Sequence, residues 1–265
     1  TNQLAVHLAR IYQRGFKVDL TVLEEVRKEF EQEKQELTVK LEEQVHELMG
    51  DRPINLNSPE QLSWIIYSRK VNDKPTWAEA YDDRVSNTQH TDNIRRLTTK
   101  LYKQKAERCN ECYGSGQIRK TRKDGTPHKN TNKCPTCSST GFLYTNKKDF
   151  AGLKFIAPDY KWASANGFST SKGNLIYLEG IARSRGMHDA EVFLQRVRRL
   201  SALDTYLSSF VEGIATHVKP DGMLHVRLLQ HRTGTGRLSG ADPNMQNMPR
   251  GGTFPVKKVF ISRWD

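Results

Sequence analysis

The chain has 265 residues, with 42 Lys and Arg against 30 Asp and Glu, a formal charge of +12. Mean hydropathy is −0.72, and no apolar run approaches the roughly 18 residues of a membrane span, so a helical membrane protein is excluded. Four cysteines are too sparse to staple a chain of this size, which excludes a disulfide scaffold.

The excess charge is concentrated. Residues 105–148 hold ten basic and three acidic side chains, residues 219–265 hold eight and three, and the rest balances. Two confined basic segments point to surfaces facing a polyanion, because phosphate neutralisation is the main sequence-independent source of nucleic-acid affinity. A solvated basic loop at either place is the plainer alternative. The opening TNQLAVHLAR carries neither Met nor a targeting pattern, as expected of a stretch excised from a longer protein.

In chain order, Asp19-Leu20-Thr21 leads into a long helical stripe: Leu23, Val26, Phe30, Leu37, Leu41, Val45 and Leu48. Thr21 and Glu24 form a candidate capping box, and Gly50 a candidate C-terminal stop. Glu and Lys alternate on the outer faces, so the helix reads as an arm in solvent or half of a coiled coil. Asn57-Ser58-Pro59-Glu60 starts a second helix, continuing through Leu62, Ile65 and Ile66. Residues 71–104 are polar with little periodicity. Helix returns over about 173–216, followed by a turn at Asp221-Gly222. Leu224, Val226 and Leu228 alternate with His225 and Arg227 as a strand, and Val256–Ser262 reads as another.

The cysteines stand at 109, 112, 134 and 137, as CNEC, twenty-one residues, then CPTC. Two CxxC pairs at this spacing suit one tetrahedral zinc, each pair forming a knuckle that aims two thiolates at the metal. Gly114, Gly116 and Gly141 follow where knuckles must turn back. A redox dithiol or two disulfides are the alternatives. CNECYGSG resembles the CxxCxGxG repeats in the zinc region of J-domain co-chaperones, and CPTCSSTG is a looser copy. That likeness supports the local fold, with chaperone-like protein binding a weaker reading. A zinc here would staple a loop too polar to build a core.

Residues 231–250, HRTGTGRLSGADPNMQNMPR, form a polar glycine- and proline-containing loop with Arg232, Arg237 and Arg250. Asn244, Gln246 and Asn247 add amides, a mixture suited to the minor groove, whose edges offer mainly acceptors. TGRLSGADPNMQNMP closely resembles the TGRLSSxDPNLQNIP signature of family A DNA polymerases. Other segments resemble the same family in the same order: Gly15-Phe16-Lys17-Val18-Asp19, the Asn55–Leu62 stretch NLNSPEQL, Ser169-Thr170-Ser171, Thr205-Tyr206, Gly222-Met223-Leu224-His225 and Val259-Phe260-Ile261.

The resemblance implies an α+β fold: a mainly helical thumb with a small zinc-knuckle insertion, leading into the first antiparallel palm strands. Its expected parts are a palm edge (1–20), the thumb (21–71 and 161–221), a zinc-binding insertion (72–160) and the start of the palm (222–265). It implies that Arg237 reaches the minor groove at the primer terminus, with Asn244, Gln246, Asn247 and Arg232 along the same duplex. Asn57, Ser58, Ser169, Thr170 and Ser171 would hold the phosphate backbone. The first catalytic aspartate of the family lies beyond FISRWD, and Asp265 falls in the turn before it, so no catalytic residue is assigned. The chain alone is expected to be inactive. Magnesium would be bound by residues outside it, in fingers and palm carried by the remaining polypeptide. Phage members of the family carry a processivity-factor insertion in the thumb, so a phage-like enzyme of the bacterial cytoplasm with a partner at the zinc insertion is expected. The rival is a non-catalytic, zinc-dependent nucleic-acid binding module on a polymerase-derived scaffold.

Overall fold

A computed structural model describes residues 3–81, 85–121, 127–230, 232–248 and 254–264. In chain order the elements are α1 (Gln3–Arg14), β1 (Phe16–Val18), α2 (Leu20–Met49), α3 (Pro59–Tyr67), β2 (Arg69–Val71), α4 (Lys74–Glu79), α5 (Asn87–Leu97), β3 (Thr98–Lys100) and β4 (Tyr102–Arg108). Next come β5 (Gln117–Thr121), β6 (Pro127–Lys133), β7 (Phe142–Phe150), β8 (Ala163–Ser164), β9 (Gly167–Phe168), α6 (Lys172–Ser184) and α7 (His188–Thr205). A π-helical turn (Tyr206–Val211) joins α7 to α8 (Glu212–His217), and β10 (Met223–Leu224), β11 (Arg227–Leu229), β12 (Ser239–Ala241) and β13 (Phe260–Ile261) close the chain. Long helices beside short antiparallel strands make this an α+β fold. Two compact units divide it: residues 1–39 with 199–265, and residues 40–198.

In the first unit, β1 is the middle strand of a three-stranded antiparallel sheet ordered β10-β1-β13, with Phe16 opposite Leu224, Lys17 opposite Met223 and Val18 opposite Phe260. Three segments singled out in the sequence, 15–19, 222–225 and 259–261, are thus zipped into one sheet. Its core gathers Val18, Leu23, Val26, Phe30, Leu203, Val211, Ile214, Leu224, Phe254, Val256 and Val259. Arg199 lies 4.3 Å above the Phe254 ring and grips Glu33 through two 2.6 Å hydrogen bonds, from Nε and one Nη.

Several expectations need correction. The cap of α2 is Asp19, whose Oδ1 accepts from the N–H groups of Thr21 (2.9 Å) and Val22 (3.1 Å); Thr21 is already helical. This helix is not a bare arm, since Leu23, Val26, Phe30, Leu41, Val45 and Met49 are all buried. The strand expected over 224–228 is interrupted after Leu224, where His225 Nδ1 bonds the Tyr12 carbonyl at 2.6 Å. The strand expected over 256–262 is mostly a 3-10 turn (Pro255–Val259), because Val256 and Val259, three apart, are both fully buried.

In the second unit, α3 stands where a second helix is expected, while α4, α5, β3 and the start of β4 replace the featureless stretch expected over 71–104. Trp77 of α4 is completely buried, with Nε1 donating to the carbonyls of Ser164 (2.6 Å) and Gly167 (3.1 Å) and its ring edge-on to Phe168. Helix α5 buries His90, Asn93 and Ile94, and burial holds the His90 imidazole below its ordinary pKa. The expected helix over 173–216 is broken at Gly186 in the left-handed region, where Met187 N–H returns to the Ala182 carbonyl at 2.9 Å, and beyond it α7 runs through the π-helical turn into α8.

Gly50 does end α2, and it also meets a strand. Its φ is 82°, it bridges Gln104 of β4, and the next N–H, of Asp51, donates to the Gln104 carbonyl at 2.9 Å. Asp51 Oδ2 in turn accepts from Ala106 N–H at 2.8 Å, and Oδ1 lies 2.9 Å from His46 Nε2. The Ala106 N–H and His46 hold the Asp51 carboxyl below its usual range. The helix end and the β4–β7 ladder are thereby tied together by main chain.

Candidate metal centre and nucleic-acid interface

The four cysteines occupy two knuckles that are near-copies. Gly116 N–H donates to Cys112 Sγ at 3.3 Å, and Gly141 N–H to Cys137 Sγ at 3.3 Å. Ser115 Oγ donates to the Cys112 carbonyl at 2.7 Å, and Thr140 Oγ1 to that of Cys137 at 2.7 Å. The copies interlock through Cys134 N–H to the Gly116 carbonyl (3.0 Å) and Cys109 N–H to the Gly141 carbonyl (2.9 Å). Both glycines have positive φ, and a Cβ on either would fall 2.3 Å from a backbone oxygen of the opposite knuckle, so no other residue fits.

All four thiols are buried and free of disulfides, and their sulfurs lie within 4.8 Å of one another. Cys109 and Cys134 are 3.9 Å apart, Cys112 and Cys137 3.6 Å. A tetrahedral zinc with Zn–S bonds of about 2.3 Å needs sulfurs about 3.8 Å apart. The donor set therefore fits a metal such as zinc. Burial pushes the Cys112 thiol up, but Gly116 N–H and the thiols of Cys137 and Cys109 bring it down to about 7. At Cys134 the Cys137 N–H acts to lower the pKa, while burial and the neighbouring thiols push it up to about 12. A dication replacing these shared protons removes that competition. Among the described residues, Ile118 and Leu143 add the apolar packing on the cluster.

The polar loop lies in the first unit. Strands β11 and β12 form its base, with Arg227 opposite Ala241 and the Arg227 guanidinium 2.8 Å from Asp242. Gly236 N–H turns back to the Thr233 carbonyl at 3.2 Å, and Thr233 Oγ1 donates to the Arg237 carbonyl. Arg237 and Arg232 are exposed and form no ion pair with another described residue. Asn244 Oδ1 accepts from Gln246 N–H at 3.2 Å, and Gln246 Oε1 accepts from Gly240 N–H at 2.8 Å. Each amide oxygen thus accepts one bond inside the loop, and the NH2 groups are donors without a partner among the described residues. Asn247 closes this turn; its side chain, like His231, Arg250 and Asp265, lies outside the described residues.

The remaining candidates belong to the second unit, at two helix starts. Ser58 Oγ accepts from Gln61 N–H and Ser171 Oγ from Asn174 N–H, both at 3.4 Å, capping α3 and α6. Asn57 is exposed and its N–H donates to Asn55 Oδ1 at 2.9 Å, while Asn55 N–H is held by Gln61 Oε1 at 2.7 Å. Ser169 is fixed by Tyr67 Oη donating to its carbonyl at 3.0 Å, and Thr170, next to the Ser171 cap in sequence, is half-buried. Sequence reading missed the Arg227–Asp242 pair and the Asp51 tie, which join positions 15 and 55 apart and leave no local pattern.

Segments of the chain are related to DNA polymerase I. The Streptococcus pneumoniae protein is 39% identical over 61 residues, 22% of this chain and 7% of that protein. DNA polymerase I of Bacillus subtilis is 37% identical over 84 residues, and the thermostable enzyme of Thermus filiformis 39% over 82, each covering 31% of this chain and 8% and 9% of those proteins. The chain thus spans less than a tenth of these relatives' length. No family model matches it. Among solved structures, the POL domain of Pol1 from M. smegmatis, in complex with DNA primer-template and dNTP, matches 96% of this chain and 28% of that one, with a TM-score of 0.50 and 19% identity. No helix among the described residues is long and apolar enough to cross a membrane.

Proposed function

We propose that this chain is the thumb and N-terminal palm portion of a phage-like family A DNA polymerase, and that it grips primer–template duplex rather than carrying the catalytic carboxylates. The observation behind this reading is the 232–248 loop: each of the Asn244 and Gln246 amide oxygens is tied to a backbone N–H, which leaves their NH2 groups as donors, and the same loop carries Arg237, which has no ion pair among the described residues. The minor groove offers acceptors at every base pair, so such a surface binds duplex with little sequence preference. The partial homology to DNA polymerase I supports the assignment. At α3 and α6, a serine that accepts from the helix still has its own proton to donate, and the positive helix end favours a phosphate. Residues 72–160 are then a zinc-stapled insertion, the zinc structural, and magnesium belongs to the complete enzyme.

Fluorescence anisotropy of the zinc-loaded chain with a labelled primer–template duplex tests this. With several cations at phosphates, affinity should fall by a factor on the order of 100 or more between about 50 and 200 mM salt. Arg237→Ala should weaken binding further. A salt-independent signal would remove duplex DNA as the partner.

A further inference from the structure

The knuckles differ at one informative position. Tyr113 follows Cys112 with φ 50°, and Ser138 follows Cys137 with φ 51°, so the turn is the same and a serine satisfies it. Tyr113 is 84% exposed and contributes no burial. A bulky aromatic in left-handed backbone, serving neither turn nor core, is displayed to something outside the chain.

The exposed side chains of the same module define that partner. The Arg108 side chain runs along Gly114, where a Cβ would stand 3.1 Å from Arg108 Cγ. Phe142, 40% exposed, is paired directly opposite Arg108 in the β4–β7 ladder. Strand alternation puts both on the face opposite Leu143, which packs on the cysteines. By the same alternation Arg119 and Lys133 face away from Ile118 on the β5–β6 hairpin, and both are exposed. The one ion pair among the described residues of β4 to β7 is Lys105 with Glu107, at 3.8 Å, leaving Arg108, Arg119 and Lys133 without a carboxylate partner there.

We propose that this module is a contact for single-stranded nucleic acid, in which Tyr113 stacks on an unpaired base while Arg108, Arg119 and Lys133 hold the flanking phosphates. The free cations select a polyanion. An aromatic face reaches only a base whose own face is open, which selects a single strand over duplex. The inference uses none of the residues of the duplex grip, so either reading can fail alone.

The test uses the zinc-loaded full chain and a labelled oligo-dT of about 12 nucleotides beside the primer–template duplex. Tyr113→Ser, which installs the residue of the other knuckle, should lower oligo-dT affinity about tenfold with duplex affinity and zinc content unchanged. Tyr113→Trp should retain binding, with its indole fluorescence quenched by the oligonucleotide. Arg237→Ala should weaken duplex binding alone. Unchanged oligo-dT affinity in Tyr113→Ser, an equal loss on both DNAs, or a loss of zinc from that variant would each overturn the proposal.

Discussion

Replacing Gly50 with alanine separates two demands at the end of α2. The residue has φ 82°, and a Cβ there would lie 2.2 Å from the Gln104 carbonyl oxygen. Left-handed backbone costs a non-glycine residue about 1–2 kcal/mol. The obstructing atom is main chain and cannot swing aside, so the hydrogen bond that this carbonyl accepts must also lengthen, at about 0.5–1.5 kcal/mol. Gly50→Ala should therefore destabilise the chain by about 1.5–3.5 kcal/mol in urea denaturation, with faster amide exchange at Asp51 and Ala106. Gly50→Asn is the control, because asparagine tolerates the dihedral but carries the same Cβ. It should recover part of the backbone cost and keep the steric loss of about 0.5–1.5 kcal/mol. A loss below about 0.5 kcal/mol in Gly50→Ala would refute the steric argument, and near-complete recovery in Gly50→Asn would reduce it to backbone preference.

Chelation should abolish exchange protection at the Cys109, Gly116, Cys134 and Gly141 amides while leaving the α2 amides protected; retained protection would show that the knuckles stand without metal. A double-mutant cycle of Arg199→Ala with Glu33→Gln should give a coupling of about 1 kcal/mol, above an ordinary surface pair because the contact is bidentate, and zero coupling would refute it. The depressed Asp51 carboxyl contributes stability present above its ordinary pKa of 3.8 and lost as pH falls through its lower folded value. Asp51→Asn should accordingly flatten the acid limb of a stability–pH curve below about pH 4, and an unaltered limb would contradict the assignment.

Legibility in the sequence followed how local each cause was. The α2 stripe, the start of α3 at Asn57-Ser58-Pro59-Glu60 and the paired CxxC turns depend on residues a few positions apart, and each was readable. Helix α5 was not, because its buried face is His90, Asn93 and Ile94, where two polar residues hide the periodicity. Helix α4 is held by one anchor, Trp77, whose carbonyl partners lie 87 and 90 residues away. In the 231–250 loop the residue types were visible. Which ends of the amides face outward was not, since that depends on Gly240 and Gln246 meeting across a folded turn.

Within each half, Cys112 or Cys137 is held by bonds spanning three or four residues, while Cys109 and Cys134 donate their N–H groups to the opposite half, so the metal centre closes only where the two turns meet. The 21 residues between Cys112 and Cys134 then act as a tether that sets how often the halves meet. Doubling such a tether costs only about 0.6 kcal/mol, small against metal binding. Lengthening the stretch between the two cysteine pairs should therefore cost far less than losing one cysteine.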